Sequence, residues 1–535
     1  MKRQNYINLP VVLIFSLFFI TGIFVYDDYG ISWDEYNHRI NGFVSLNLIR
    51  KLFSLNIIYP DLVHSTKAFI EGSKMYGVLF DLPMAFIEEK LKINDSKNYF
   101  LLRHFFNFLI FFVSSIFFYL LLKKRFSKEL SVIGLLFLIL SPRIFAESFY
   151  NMKDIVFLSF FIIGLYFAIN FLNTSSYKNA FFSSITCSLV IAVKVIGIII
   201  PFIVFVFFVL KSLDNINYLK KNILKIIIFF FLLIFFTILF WPYLWSDPLS
   251  NFLKALISFS SHPWRGSVFY FGEYISAMNL PWHYPIVWIL ISTPIIYLLL
   301  FFLGSVLIVR RLSFRFLKLS PEKEFNDMWR GNKERIDIII FLIFYFTLFL
   351  VIELNSTLYG GWRHLYFIYP CLIFISIRGL ELISRKLSTK YLFVLIIPFL
   401  LYLCLWMIKN HPFQFVYFNK FAGKNVASNF ELDYWGTSNK SVLKYIINND
   451  KKDTLKVFAS SNSPYYFSLL LVDSKDRDRI KFVNNENYAD FLVTNHYYLK
   501  GDPILINKEL KKKFKLLKEF KVNNMAINSI FKVSY

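Results

Sequence analysis

Cysteine is rare in this chain, and the positions of the cysteines exclude two kinds of site. Cys187, Cys371 and Cys404 are the only cysteines among 535 residues, and all three fall inside apolar runs. A disulfide framework or a thiolate metal site would need paired cysteines at suitable spacings. We therefore expect the three to be packing residues.

Acidic residues are also scarce, which leaves the chain strongly basic. There are 35 Asp and Glu against 59 Lys and Arg, a formal net charge of +24 at pH 7. Such a charge could attract nucleic acid, but the basic residues lie mainly in short polar stretches between apolar runs and in the tail. Membrane proteins orient themselves by this distribution. We expect membrane lipids as partners and no nucleic acid.

Long apolar runs dominate the first three quarters of the chain. The sequence is 56% hydrophobic and 20% aromatic, well outside the soluble average. Runs of roughly 20 residues can cross a bilayer as helices. We interpret 180–210 as two short spans broken near Lys194 and Gly197, since one long helix would invert everything downstream. The eleven predicted spans are Ile7–Val25, Tyr99–Leu122, Leu130–Phe145, Ile155–Leu172, Ala180–Val193, Ile196–Leu210, Ile223–Phe240, Pro285–Val309, Ile336–Glu353, Leu365–Leu380 and Tyr391–Ile408.

The charged loops predict one consistent orientation. With the N-terminus in the cytoplasm, the basic stretches satisfy the positive-inside rule throughout. These cytoplasmic stretches are 123–128, 211–221, 310–335 and 384–390. The opposite, extracytoplasmic face then receives 27–98, 142–154, 241–284, 354–364 and the tail.

The tail differs from the rest of the chain because it is polar and rich in Lys and Asn. Short runs at 455–460, 479–483 and 489–495 are typical of β-strands, and 463–471 begins with Ser and Pro as helices often do. We predict an α-helical, polytopic transmembrane module of residues 1–408 and a small C-terminal α/β domain of residues 409–535 outside the membrane.

The stretch "GISWDEYNHRI" (30–40) places Asp34 and Glu35 beside the first span. One interpretation is a loop in which Trp33 and Tyr36 anchor the interface and the charges are solvated. The other is a functional site, since ionisable clusters at a membrane edge are candidates by default. In that case the adjacent carboxylates could divide proton transfer and cation binding between them.

Further charged residues are predicted on the same face. "SPRIFAESFYNMKD" (141–154) contains Arg143, Glu147, Lys153 and Asp154, which either pair with one another or serve a site. Lys194 interrupts an apolar run, so it either extends to the interface or belongs to a site. Arg363 and His364 follow Gly360 and Gly361 at the start of a span. Arginine can grip phosphate oxygens through two parallel hydrogen bonds, whereas lysine supplies a point charge.

The outer loop 261–294 is rich in aromatic residues, Pro and Gly. Its Trp264, Trp282 and Tyr284 could form an interfacial belt, stack on sugar faces or border a groove for a lipid chain. We predict substrate contacts for His262, Trp282 and Tyr284.

In this order and on one face, these motifs resemble the GT-C glycosyltransferases of family 39. That group uses polyprenyl-phosphate sugars and includes protein O-mannosyltransferases and lipid A aminoarabinose transferase. The resemblance covers roughly residues 1–440 and extends to the stretch 411–438 after the last span. The matching residues are Asp34, Glu35, Asp154, Pro281, Trp282, Tyr284, Pro285, Thr293, Pro294, Gly361, Arg363 and His364. The chain has no β-trefoil insertion like that of eukaryotic members.

The resemblance implies a reaction and roles for these residues. A sugar would pass with inversion from a polyprenyl-phosphate donor to a hydroxyl of a glycan, lipid or protein acceptor, on the outer face of a bacterial inner membrane. Asp34 would be the general base, and Glu35 and Asp154 would orient the acceptor or help to hold a cation. Participation of Mg²⁺ or Mn²⁺ stays open, because two carboxylates do not define an octahedral site. The predicted phosphate and substrate contacts are Arg363, with Lys194, Arg143, Lys153 and His364.

Two other functions fit parts of the pattern. A flippase or transporter of lipid-linked glycans would also carry polar residues at the edges of spans, but it would be expected to place ionisable residues at mid-depth or to show paired broken helices. A membrane scaffold for the C-terminal domain leaves the acidic clusters unexplained. The clustering at one rim favours the transferase.

Overall fold

The computed structural model describes residues 9–58, 75–260, 264–316, 329–387, 389–497 and 513–533. Within these ranges a large helical bundle precedes a small mixed sheet. The longer helices are α1 Leu9–Val25, α2 Trp33–Leu52, α3 Asp81–Lys90, α4 Ser96–Lys123, α5 Lys128–Ile139, α6 Pro142–Tyr150, α7 Asp154–Asn173, α8 Tyr177–Ile191, α9 Ile199–Asp214, α10 Ile216–Phe240, α11 Pro248–Ser260, α12 Tyr284–Ser292, α13 Ile295–Phe316, α14 Gly331–Glu353, α15 Tyr369–Ser384, α16 Thr389–Lys409 and α17 Asn439–Asn449. The strands are β1 Ser267–Tyr270, β2 Glu273–Ser276, β3 Leu455–Ala459, β4 Ile480–Phe482, β5 Phe491–Thr494, β6 Phe514–Val522 and β7 Met525–Val533.

Eight described helical segments are long and apolar enough to cross a membrane, so this is a multi-pass membrane protein. A ninth span results if α5 and α6, which meet at a 60° bend, are counted together. The two other predicted spans are shorter helices, α1 with 17 residues and α8 with 15. The predicted number of eleven spans is therefore not confirmed. The break predicted near Lys194 is present, because α8 ends at Ile191 and a 3₁₀ turn over Val195–Ile198 precedes α9.

Close helix packing in the bundle depends on small residues. A Cβ atom at Gly304 of α13 would lie 2.0 Å from the Ile375 carbonyl oxygen, and one at Gly379 of α15 would lie 2.1 Å from that of Leu300. Both distances are shorter than van der Waals contact, so larger residues would force the helices apart. Small residues at such crossings are common in membrane helix pairs, where dispersion contacts contribute much of the association energy.

Charged side chains join three helices at the end of the bundle remote from Asp34. Arg125, which follows α4, makes two hydrogen bonds to the Asp337 carboxylate of α14, at 2.7 and 2.9 Å. Its Nη2 also lies 3.0 Å from Glu381 of α15, and Arg378 lies 3.0 Å from the same carboxylate. We call these four residues the inner charge cluster. They connect stretches that the charge pattern assigns to one side of the membrane.

The segment 27–98 contains helices that were interpreted as loop. "WDEYNH" begins α2, a helix of mixed polarity that packs on α3 through Arg39 and Glu88, with Arg39 Nε 3.0 Å from Glu88 Oε1. A Cβ atom at Gly42 would lie 2.2 Å from the Asp81 carbonyl oxygen, so the two helices touch through their backbones. The loop interpretation of residues 33–40 is therefore wrong.

The C-terminal part forms the expected α/β domain. The five-stranded sheet has the order β4-β3-β5-β7-β6, in which β3 is parallel to β4 and β5 while β7 is antiparallel to both neighbours. The buried face of α17, including Val442, Leu443 and Ile446, packs with Val457 of β3 in one apolar cluster. The predicted strands correspond to β3, β4 and β5, whereas β6, β7 and α17 were not predicted. The domain boundary at residue 409 stays a prediction.

Candidate active site

Asp34 and Glu35 lie in the first turn of α2 but have different surroundings. The Glu35 carboxylate accepts a hydrogen bond from the Ser32 backbone NH at 2.7 Å and contacts His104 Nε2 at 2.9 Å. This is the reciprocal arrangement by which a glutamate caps a helix start. Glu35 is completely buried, whereas the Asp34 side chain is 29% exposed. Of the two acids, Asp34 is the one open to a substrate.

Arg363 joins the two aspartates predicted to act together. Its Nη2 lies 3.2 Å from Asp34 Oδ2, and its Nη1 lies 2.9 Å from Asp154 Oδ2. The preceding Gly360 and Gly361 have φ angles of 63° and 70°, a region that favours glycine. A Cβ atom at Gly360 would stand 3.1 Å from Arg363 Nε. The two glycines thus let the backbone turn beside the guanidinium without crowding it.

Asp154, the first residue of α7, is a buried carboxylate held by cations. Lys194 pairs with its Oδ1, and Asn151 Nδ2 donates to its Oδ2 at 3.2 Å. The Lys194 ammonium therefore ends inside the charged cluster. Lys153 has another partner, since its Nζ donates to the Gly77 carbonyl oxygen at 2.6 Å. We call Asp34, Asp154, Lys194 and Arg363 the outer charge cluster.

The bend between α5 and α6 brings two further charged residues to this end of the bundle. Pro142 occupies the start of α6, where its missing NH costs no hydrogen bond. Glu147 is buried and accepts a hydrogen bond from the Tyr366 hydroxyl at 2.6 Å. Arg143 donates from Nη2 to the Tyr417 carbonyl oxygen at 3.4 Å.

A pocket of about 380 Å³ opens beside Arg363. It combines aromatic walls with charged side chains, as ligand sites commonly do. Its charged and tryptophan wall residues include Arg143, Glu147, Trp288, Arg363, Glu431 and Trp435. We call it the Arg363 pocket.

Residues 410–438, here called the connecting segment, complete the site. Trp435 donates from Nε1 to Asp34 Oδ2 at 3.1 Å, and its ring centroid lies 4.7 Å from Arg363 Cζ. Asp433 holds the turn that carries Trp435, since its carboxylate accepts four hydrogen bonds from the residues four and five positions later. Trp435 is thereby held against Asp34 and Arg363, the two members of the outer charge cluster that it contacts.

The C-terminal domain holds the same turn from its other side. Asn528 of β7 donates from Nδ2 to Ser438 Oγ at 2.8 Å, and Asn495, which follows β5, donates to the Asp433 carbonyl oxygen at 3.0 Å. These side chains are buried, and a buried donor left without an acceptor is costly. The sheet therefore contributes to the position of Trp435 without reaching the outer charge cluster itself.

The other predicted substrate contacts lie in varied surroundings. Trp282 is 66% exposed, while Tyr284 is completely buried. His364 packs edge-on against Tyr359, with ring centroids 4.6 Å apart. His262 lies outside the described residues. The structure brings Asp34, Asp154, Lys194 and Arg363 into contact and places Arg143 on the wall of the adjoining pocket.

Glu35 and Asp154 do not fit the shared cation site suggested for them. The oxygens of Glu35 face Ser32 and His104, and those of Asp154 face Lys194, Arg363 and Asn151. Among the residues that the structure describes, no group of three or more His, Cys, Asp or Glu side chains could hold a metal ion. The reaction proposed for this site therefore assigns no role to a metal cation.

Several residues at the site were not singled out from the sequence. Trp435, Glu431 and Asp433 lie in "FELDYWGTS" (430–438), a run of acids and aromatic residues near the end of the connecting segment. Such a run among surface loops is a signal for a site. A second overlooked signal is the spacing of Ser32 and Glu35, which is typical of a capping box and would have predicted the start of α2.

A family comparison bears on the same part of the chain. Residues 33–246, which include three members of the outer charge cluster, match the family described as "Dolichyl-phosphate-mannose-protein mannosyltransferase". This region is therefore similar to glycosyltransferase sequences. The resemblance to mannosyltransferases that use lipid-linked sugars is thereby confirmed.

Solved structures of membrane transferases are also similar to the chain. The apo oligosaccharyltransferase of Archaeoglobus fulgidus has 14% identity and a TM-score of 0.48, with 91% of this chain and 65% of that chain covered, so the present chain spans about two thirds of its length. ArnT from Cupriavidus metallidurans bound to undecaprenyl phosphate has 11% identity, a TM-score of 0.47 and 98% coverage of both chains. The oligosaccharyltransferase AglB from Archaeoglobus fulgidus, in complex with an inhibitory peptide and a dolichol-phosphate, has 12% identity and a TM-score of 0.43, covering 91% and 69%. No curated protein matches the chain by sequence.

Proposed function

We propose that this protein transfers a sugar from a polyprenyl-phosphate donor to an acceptor hydroxyl on the extracytoplasmic face of a bacterial inner membrane. The observation that carries the proposal is the contact of Arg363 with both Asp34 and Asp154 beside a pocket. This reaction requires two groups side by side. One is a carboxylate open to substrate, and the other is a guanidinium that can bind phosphate. The family match over residues 33–246 supports the same reaction.

In the proposed reaction Asp34 is the general base. The acceptor oxygen attacks the anomeric carbon, the bond from that carbon to the phosphate oxygen breaks, and polyprenyl phosphate leaves with the electron pair. Asp34 takes the proton of the acceptor hydroxyl, and attack from the face opposite the phosphate inverts the anomeric configuration. Trp435 and Arg363 both contact Oδ2, so we assign the proton to Oδ1.

Arg363 would stabilise the charge that grows on the leaving phosphate. Asp154 and Lys194 position it, because Asp154 accepts from Nη1 while Lys194 compensates the second oxygen of that carboxylate. Binding of the donor would also draw the guanidinium charge away from Asp34.

The orientation is part of the proposal. Arg125 of the inner charge cluster lies in a stretch that the positive-inside rule assigns to the cytoplasm, and the other three members lie next to such stretches, at the end of the bundle remote from Asp34. The outer charge cluster and the C-terminal domain would then face the periplasm or the cell exterior. The acceptor class, whether glycan, lipid or protein, is left open by this assignment.

The experiment that tests the base is Asp34→Asn in membrane vesicles supplied with a labelled polyprenyl-phosphate sugar. The amide keeps the size of the side chain but cannot take a proton at neutral pH, so transfer should fall by about 10²–10⁴-fold. Glu35→Gln is the matched comparison at the next residue, where we expect reduced folded protein because the contacts of a buried carboxylate are weakened. Near-normal turnover by Asp34→Asn at normal protein levels would overturn the assignment.

A further inference from the structure

The Arg363 pocket is lined by residues that have no assigned role in the transfer reaction, in addition to Arg363 and Trp435. Its wall also includes Tyr150, Trp288 and Glu431. Arg363 lies on its wall, so a phosphate bound there would place the next bonded group of the donor at or inside the pocket. That group is either the sugar or the polyprenyl chain, because the phosphate is bonded to both.

Glu431 is a buried carboxylate on the wall of this pocket. It is 7% exposed, and its Oε1 accepts a hydrogen bond from the Gly361 backbone NH at 3.1 Å. The Phe269 backbone NH also faces the carboxylate, but Oε2 makes no hydrogen bond of good geometry among the described residues. Burial raises the pKa of Glu431 to about 7. A buried acceptor of this kind is costly unless a ligand or water supplies a donor.

Arg143 presents a matching donor on the same wall. Its guanidinium lies over the rings of Trp288 and Phe418, with Cζ 5.6 and 5.3 Å from their centroids. Its Nε is buried and has no hydrogen-bond partner in the described part of the chain. Two further residues on the wall, Trp288 and Arg363, also carry a buried Nε1 or Nε donor without a partner in the described part of the chain, so the pocket combines one such acceptor with three such donors.

The remaining wall is aromatic. Trp288, Trp435 and Tyr150 border the pocket, and their rings present flat apolar faces beside the polar atoms. A sugar has the same division, since its C–H faces are apolar and each hydroxyl is both donor and acceptor. A purely apolar ligand would leave Glu431 and Arg143 unsatisfied.

We propose that the Arg363 pocket binds the sugar ring of the lipid-linked donor, and that Glu431 accepts a hydrogen bond from one of its hydroxyl groups. Glu431 is thus a specificity-determining residue, and the exposed side of Asp34 is left for the acceptor. The inference rests on the proposed function, because it takes the phosphate to be held by Arg363.

The test pairs a change in the protein with a change in the sugar. Membrane vesicles with the full chain would receive undecaprenyl-phosphate glucose, mannose and galactose, and then single-deoxy analogues of the donor that is consumed fastest. For the wild type, one deoxy analogue should lose about tenfold or more in kcat/KM, as expected for a hydrogen bond to a charged group. In Glu431→Gln, kcat/KM for the parent donor should fall. Replacing that donor by the same deoxy analogue should then lower kcat/KM of this variant by less than a further twofold.

Glu273→Gln is the matched control, since Glu273 is an exposed glutamate on the hairpin β1–β2. It should keep the wild-type pattern of losses. Glu431→Asp is the second variant in case Glu431→Gln folds poorly, and it should weaken the dependence on the same hydroxyl while keeping the charge. Identical deoxy losses in the wild type and in a folded Glu431 variant would overturn the pocket assignment. If the wild type transfers no sugar from any polyprenyl-phosphate donor, these three included, the proposed function itself fails.

Discussion

The two charge clusters of this protein have nearly the same composition and opposite character. The inner cluster pairs Arg125 and Arg378 with Asp337 and Glu381, and the outer cluster pairs Arg363 and Lys194 with Asp34 and Asp154. In the inner cluster no side chain is more than 17% exposed, and one arginine makes two hydrogen bonds to one carboxylate. In the outer cluster Asp34 is open and a pocket adjoins Arg363.

The difference between the clusters shows that ion pairing alone does not identify a substrate-binding site. A closed ion cluster stabilises the arrangement of helices but offers nothing to a ligand. An ion cluster with one accessible carboxylate and an adjoining cavity can exchange its internal partners for those of a substrate. We expect substitutions in the inner cluster to change stability, and substitutions in the outer cluster to change turnover.

Arg125→Met should have the largest effect, and the effect should be on stability. Removing the guanidinium leaves the Asp337 and Glu381 carboxylates short of a partner, which costs about 3–5 kcal/mol for a buried pair. The measurement is the thermal unfolding midpoint of the detergent-purified protein, together with turnover per folded molecule. Arg385→Met is the control, because Arg385 is 63% exposed and contacts the same Glu381 at 3.5 Å, a kind of pair worth about 0–1 kcal/mol. Equal midpoints for the two variants would remove the structural role of the inner cluster.

Arg363→Lys should reduce turnover by about 10²–10³-fold, the range seen when one stabilising donor is removed from a transition state. Lysine keeps a positive charge between the two aspartates, so the folded amount should change little, but it cannot reach Asp34, Asp154 and a phosphate at once. The measurement is kcat/KM with labelled donor. Arg265→Lys, at an exposed arginine in the outer loop before β1, should match the wild type. Unchanged kcat/KM in Arg363→Lys would contradict the phosphate role.

Trp435→Phe should have the smallest effect, about tenfold on turnover. Phenylalanine keeps an aromatic ring over Arg363 but removes the indole NH that donates to Asp34, a hydrogen bond to a charged group. Trp245→Phe is the matched control, since the Trp245 indole donates to the Ile238 carbonyl oxygen at 2.8 Å away from the site. The turnover of both variants should be compared at equal folded amounts. A larger loss in Trp245→Phe would show that the indole of Trp435 has no special role.

The sequence predicted the eight helices of membrane length and the convergence of the outer charge cluster for the same reason. Apolar runs of membrane length have few alternatives, and the charged loops fix which ends share a face. That placement put Asp34, Asp154, Lys194 and Arg363 on one side, and in the structure they are in contact. Side-chain roles could not follow from placement alone. Glu35 has the same charge and nearly the same position as Asp34, yet it is turned into the protein to cap α2.

The parts that were missed depend on packing between distant segments. α2 has mixed polarity, so hydropathy does not mark it, and its stability comes from contacts with α3 such as Arg39 with Glu88. The hairpin β6–β7 is rich in lysine, and its local signal is the pair Asn523 and Asn524, whose φ angles of 47° and 68° suit a tight hairpin turn. Glu431 and Trp435 meet residues from the first half of the bundle, and local sequence does not encode such distances.

The support of the Asp433 turn by Asn528 has a consequence for the order in which the protein matures. Ser438 precedes Asn528 by 90 positions, so a ribosome makes the turn well before the strand that fastens it. A nascent chain whose spans are already in the bilayer still lacks the hydrogen bond from Asn528 that supports the turn carrying Trp435. Trp435 is therefore held in its final position beside the outer charge cluster only late in biogenesis, when β7 joins the sheet.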